Sequence, residues 1–183
     1  MMNTPKIAFI CASLRKESIN KKLESGMIRL FEKKGAKAHV INLNEFQMPI
    51  FHGDLKIPEN VKSLTKLLET FDGIVITTPE YNGCLPPLLK NMIDWTSADS
   101  IDYIKNAIWG IASATPGPMS GIMCMRQLNF ILNRLGGEVL SQQVGCGNAA
   151  SSLDSDGNLI SQPALNFAEK MCEMMIKRID QKN

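Results

Sequence analysis

The residues able to do chemistry cluster in three short polar stretches, each set between apolar segments. The first is Ser13-Leu14-Arg15-Lys16-Glu17-Ser18-Ile19-Asn20. A hydroxyl-rich stretch that opens a helix makes an anion site, because free backbone N–H groups and the positive helix end converge on one spot. The hydroxyls of Ser13 and Ser18 and the amide of Asn20 add donors, and Arg15 can fork onto two phosphate oxygens. The ligand group this predicts is a phosphate monoester. The plainer alternative is that Ser18 only caps the helix and Arg15 is a solvated charge.

The second stretch is Pro79-Glu80-Tyr81-Asn82-Gly83-Cys84. A rigid Pro, a carboxylate, an aromatic ring, an amide and a permissive Gly in five positions suit closure over a flat polar ligand through backbone N–H groups. The same residues would also serve as a strand-to-helix turn that binds nothing. The third stretch runs from Ser113 through Thr115 and Gly117 to Gly121. Its small residues and its Pro and Gly let a backbone come close to a planar ligand. Neither Gly-x-Gly-x-x-Gly nor a P-loop is present, which argues against an NTPase and against a dinucleotide held in the Rossmann manner.

Each stretch needs a strand before it and a helix after it, and the apolar pattern supplies both. Residues 6–12, 38–42, 73–78, 107–112 and 138–144 read as short buried strands. Helices are predicted over the residues leading to Gly35, over 61–71, from Leu85 through Ile93, over 122–135 and over 162–179. Strand and helix alternating five times predict a parallel sheet covered on both faces. The expected fold is α/β and flavodoxin-like, a five-stranded parallel sheet of order 2-1-3-4-5 formed by one domain over residues 1–183. In such a sheet the three stretches follow strands one, three and four and converge at the topological switch point.

Composition narrows the function classes. A formal charge of +2 with no basic block gives no support to nucleic acid as a partner. Five widely spread cysteines lack zinc spacing, and they favour reduced thiols in a cytoplasmic protein. The start leads straight into the short strand Ile7-Ala8-Phe9-Ile10, which is too brief for a signal-peptide core, no apolar run reaches membrane-spanning length, and a membrane role is not expected. His39 and His52 have no ligand spacing, so no metal site is expected. Asp154-Ser155-Asp156-Gly157-Asn158 reads as a turn, because the twelfth position of a calcium loop would be Pro163. Met171, Met174 and Met175 read as core or subunit contact.

The run from Pro79 to Trp95, with its Pro-Glu-Tyr-Asn-Gly turn and Leu-Lys-Asn helix, resembles the NADPH-dependent FMN reductase family. Residues 13–20 resemble the same family's phosphate loop, and residues 113–121 match its third loop in part. Two departures stand out. Cys84 replaces the usual Ser, and Ala12 stands where the family has Gly, a position that would be strained for Ala if it required positive φ. The resemblance implies FMN as cofactor, held by Ser13, Arg15, Ser18, Asn20, Pro79, Glu80, Tyr81, Asn82, Gly83, Ser113, Thr115 and Gly117, with NADPH or NADH as donor. It implies a small-molecule electron acceptor, namely a flavin, a quinone, an azo compound or a metal oxyanion. It also implies a homodimer or homotetramer. The flavin carries its own redox chemistry, so no catalytic acid, base or nucleophile is assigned, and Cys84 is read as a small substitute for Ser. The alternatives are a flavodoxin-type electron carrier and a flavin-free scaffold.

Overall fold

The computed structural model describes residues 4–182; residues 1–3, which fall within the segment read as lacking a leader, and residue 183 lie outside it. Strand β1 (Lys6–Cys11) leads to α1 (Ile19–Lys33), β2 (Lys37–Ile41), α2 (Glu59–Leu68) and β3 (Gly73–Thr77). Then come α3 (Pro87–Asp99), α4 (Asp102–Asn106), β4 (Ile108–Ala114), α5 (Ile122–Arg134), β5 (Glu138–Val139), β6 (Val144–Cys146), α6 (Ala149–Ser152) and α7 (Gln162–Asp180). All pairings are parallel, and the order is β2-β1-β3-β4-β5, with β6 also on β4. This is the doubly wound, flavodoxin-like sheet that the alternation of elements predicts.

Strand alternation divides the core into two layers. Ile7 and Phe9 of β1 pack with Leu23, Met27 and Phe31 of α1 and with Met171 and Met175 of α7. Ala8 and Ile10 face α2, α3, α4 and α5 through Leu64, Leu89, Ile104 and Leu128. Every residue of β3 and β4 is buried, as strands covered on both faces must be. Met171 and Met175 are fully buried and Met174 packs at the edge of the same layer, so this row is core. A Cβ at Gly110 would meet the Met171 Sδ at 2.9 Å, and one at Gly73 would meet the Met175 Sδ at 2.8 Å. Those glycines let α7 sit down on the sheet.

Two departures from the sequence reading have local causes. The expected strand over 138–144 is two strands, because Trp109 pairs with Val139 whereas Ala112 pairs with Val144. Three steps on β4 thus match five on its partner, and the polar Ser141-Gln142-Gln143 is the part that loops out. Helix α4, a single turn, has no counterpart among the predicted helices. It forms because Tyr103 and Ile104 are buried, with the Trp109 Nε1 donating to the Ile104 carbonyl at 2.9 Å.

Candidate functional site

The first stretch leaves β1 through Ala12, whose N–H donates to the Thr77 carbonyl at 2.8 Å. Ala12 is not among the positive-φ residues, so the Gly-to-Ala departure costs no backbone strain. Ser18 caps α1, its Oγ accepting from the N–H groups of Asn20 and Lys21 at 3.2 and 3.4 Å. Among the described residues, no carbonyl accepts from the N–H groups of residues 13–17. Ser13 is buried beneath them and Arg15 is exposed with no hydrogen bond to its guanidinium, so the segment has donors to spare at a helix N-terminus.

Asn20 has a different place from a free donor. Its Oδ1 accepts from the Ala114 N–H and its Nδ2 donates to the Ala114 carbonyl, both at 2.9 Å. The side chain therefore joins the first loop to the third.

The second stretch closes as a hairpin. Tyr81 and Cys84 exchange both backbone bonds at 3.0 Å, and the central Asn82 and Gly83 have φ of 52° and 76°. Positive φ at both central positions is a type I′ turn, for which Asn-Gly is the favoured pair. That dipeptide was a legible signal that the sequence reading passed over. Tyr81 is 42% exposed at the rim. The Glu80 carboxylate turns away from the turn and accepts from the N–H groups of Met123 and Cys124 at 2.9 and 3.1 Å. It caps α5, whose own N-cap, Gly121, has no side chain to do so. Gln127 reaches back from α5, accepting from the Leu85 N–H at 3.0 Å and donating to the Gly83 carbonyl at 3.4 Å. Nothing in the sequence marked Gln127.

In the third stretch Ser113 is fully buried and Gly121 has φ of 68°. A Cβ at Gly121 would stand 2.0 Å from the Ser113 Oγ, so glycine is required there on two counts. Thr115 donates from Oγ1 to the Gly117 carbonyl at 2.9 Å, and Gly117 faces open space, since a Cβ there would meet no atom within 4 Å. The loop after β6 supports this one from below, with Asn148 N–H on the Gly117 carbonyl and Ala149 N–H on the Thr115 carbonyl. Cys124 lies under the loop, and burial pushes its thiol up to about 11, well away from thiolate chemistry.

All three stretches thus stand at the carboxyl ends of adjacent strands β1, β3 and β4, tied to one another by Asn20, Glu80 and Gln127. Beside them the segment over residues 48–54 is pinned to α3. The Pro49 carbonyl accepts from Trp95 Nε1 at 2.7 Å and Asn91 Nδ2 at 2.9 Å, and Phe51 packs edge-on to Trp95 with ring centroids 5.0 Å apart.

A family model described as NADPH-dependent FMN reductase matches residues 5–151. The chain belongs to the NADPH-dependent FMN reductase family. Membership makes it an FMN-dependent NAD(P)H oxidoreductase, which sets aside the electron-carrier and scaffold alternatives. Among its relatives, a 2-hydroxy-1,4-benzoquinone reductase of a Burkholderia species is 24% identical over 170 residues, covering 90% of each chain. The quinone reductase of Escherichia coli K12 is 28% identical over 170 residues, covering 88% of each. Among solved structures, FerB, a flavoenzyme NAD(P)H:(acceptor) oxidoreductase of Paracoccus denitrificans, superimposes with a TM-score of 0.84 at 24% identity over 97% of this chain and 98% of its own. No helix among the described residues is long and apolar enough to cross a membrane.

Proposed function

We propose that this FMN reductase family member passes reducing equivalents from NADH or NADPH to a quinone-type acceptor, with its flavin held across the three loops. The observation that carries this reading is the set of N–H groups over residues 14–17, from which no carbonyl accepts among the described residues, leading into α1 beside a hairpin and a glycine loop at the ends of β3 and β4. Donors of that kind match a phosphate, and open backbone of that kind matches a flat ring. Names of the relatives favour a quinone among the acceptor classes.

In this reading Ser13, Arg15 and Ser18 surround the phosphate. Ser18 contributes through its cap and Asn20 by holding the loop against Ala114. Pro79, Glu80, Tyr81, Asn82 and Gly83 border the ring from one side, with Glu80 acting on the loop's position through α5. Thr115 and Gly117 border it from the other, with Ser113 buried beneath them and Gly117 offering space for close approach. Bound FMN supplies hydride acceptance from the nicotinamide and delivery to the acceptor. The chain would orient it, and the Asn82 and Gly83 N–H groups, from which no carbonyl accepts among the described residues, would be donors available to stabilise negative charge on the ring.

The reading extends to assembly and place. Ile50 at 85% and Phe130 at 67% exposure, with Phe51 and Ile131, leave apolar surface around Lys90 next to the hairpin. Such a surface suits a second copy of the chain, so a homodimer or a homotetramer built from it is proposed. The five free cysteines support a cytoplasmic setting, and the shared sheet beneath both core layers supports one domain over residues 1–183.

The test is the visible spectrum of purified protein mixed with FMN, before and after anaerobic NADH or NADPH, followed by addition of a benzoquinone. Flavin that binds, bleaches with the donor and recovers with the quinone supports the proposal. Flavin that bleaches but is not reoxidised by quinones removes the acceptor class, and flavin that does not bind removes the site.

A further inference from the structure

A second cleft, of about 410 Å³, opens on the far side of the first loop, between α1 and the carboxyl end of β2. Its size is within the roughly 300–1,000 Å³ of small-molecule sites. It begins at Ser13 and Leu14, so it is continuous with the loop to which the phosphate is assigned. The ring-bordering loops follow β3 and β4 on one side of β1, while β2 lies on the other. A ligand extending beyond the phosphate and away from the ring would therefore run into this cleft.

The lining has the parts of a nucleotide site. Ile28 and Val40 form apolar walls, and Val40, on the edge strand, is 59% exposed although its neighbour Ile41 is buried. Lys21 lines the wall nearest the loop and makes no ion pair among the described residues. Glu24 lines the cleft from α1, is only 6% exposed, and its Oε1 has no hydrogen-bond partner among the described residues. Burial raises the carboxyl to about 7, with Lys21 pulling the other way. A neutral carboxyl offers one donor and one acceptor side by side, which complements the ring-nitrogen and amino edge of adenine. Asn42 and Asn44 stand just past β2, a little over 20 residues beyond the first loop.

We propose that this cleft is an adenylate subsite, in which Lys21 meets a phosphate, Ile28 and Val40 enclose the base, and Glu24 reads its polar edge. Two molecules carry that group: flavin adenine dinucleotide in place of FMN, and the nicotinamide donor. The assignment to a flavin dinucleotide rests on the FMN reading above, whereas the cleft's affinity for adenylate does not.

The experiment measures AMP binding to the purified chain by methyl NMR, then compares FMN, FAD and NADH for wild type, Lys21→Ala and Val40→Trp. Val40→Trp fills the cleft from an exposed position, and circular dichroism confirms that each variant is folded. Expected are AMP-induced shifts at Ile28 and Val40 that both variants abolish, with FMN affinity unchanged. FAD binding at least tenfold tighter than FMN, lost in both variants, assigns the subsite to the flavin. Equal FMN and FAD affinities with a KM for NADH raised at least fivefold in both variants assign it to the donor. No AMP shift, with neither FAD nor NADH affected by the variants, overturns the proposal. Failure of FMN itself to bind, with AMP shifts present, overturns the flavin site and leaves the adenylate subsite standing.

Discussion

Asn20 and Ala114 are joined by a two-way hydrogen bond, the carboxamide side chain pairing with a backbone N–H and C=O as a second strand would, at 2.9 Å in each direction. The two residues are 94 positions apart, and the side chain is 1% exposed. Asn20→Ala leaves both Ala114 groups buried and unpaired. The expected loss is about 2–6 kcal/mol, two buried groups at the usual cost of about 1–3 kcal/mol for an unsatisfied one. Urea unfolding measures it, and an unchanged midpoint would show that water replaces the amide.

Glu80 and α5 give a second test. Glu80→Ala removes the cap from the Met123 and Cys124 N–H groups, at an expected cost of about 1–2 kcal/mol. Glu80→Gln keeps an accepting oxygen and should retain at least half of that stability. Equal losses in the two variants would mean that charge at the helix end, rather than the hydrogen bond, is what counts.

Arg15 is exposed and makes no ion pair among the described residues, so its removal should leave folding untouched. Arg15→Ala is expected to weaken FMN binding by about 1.5–3 kcal/mol, the scale of a charged hydrogen bond. Riboflavin, which lacks the phosphate, should bind wild type and variant alike. A fluorescence titration in which FMN affinity is unchanged, or in which riboflavin suffers equally, would contradict the phosphate assignment.

Glu24 makes stability depend on pH. Burial raises its carboxyl from the ordinary 4.5 to about 7, so between those values the unfolded chain has lost a proton that the folded one retains. Stability from this group is therefore full below pH 4.5, falls as pH rises toward 7, and levels off above it. The loss is on the order of 3 kcal/mol across the window. The difference in unfolding free energy between wild type and Glu24→Gln, followed from pH 4.5 to 8, should show that slope. A constant difference would mean that the carboxyl ionises in the folded state as it does in water.

Cys84 sits exposed at the end of the hairpin, with Gln127 Nε2 3.5 Å from its sulfur. A hydroxyl fits that place, so Cys84→Ser should change NAD(P)H oxidation by less than about twofold, well under the roughly 1.4 kcal/mol of a tenfold effect. A loss beyond tenfold with flavin still bound would give the thiol a redox role.

Much of the frame was legible because it depends on local pattern. The short, largely apolar runs over 73–78 and 107–112 read as strands covered on both faces, and the alternation with helices leaves few topologies. The Ser18 cap and the helix stop at Gly35, with φ of 87°, are likewise properties of neighbouring residues. The split between β5 and β6 escaped because a loop-out depends on the partner strand's register. Period alone does not carry that information.

The chain by itself determined its family, its sheet order and the three loops that meet at the strand ends, since hydrophobic period, turn residues and helix starts act over a few positions. Only the tertiary structure decided what those loop residues bond. Asn20 and Glu80 carry donors and acceptors that could have faced a ligand, and both instead hold distant backbone, Ala114 in one case and the start of α5 in the other. Buried backbone groups at a strand end or helix start must be satisfied by whatever the fold brings near. That requirement spans 94 residues in the first case and 43 in the second, beyond the reach of any local pattern.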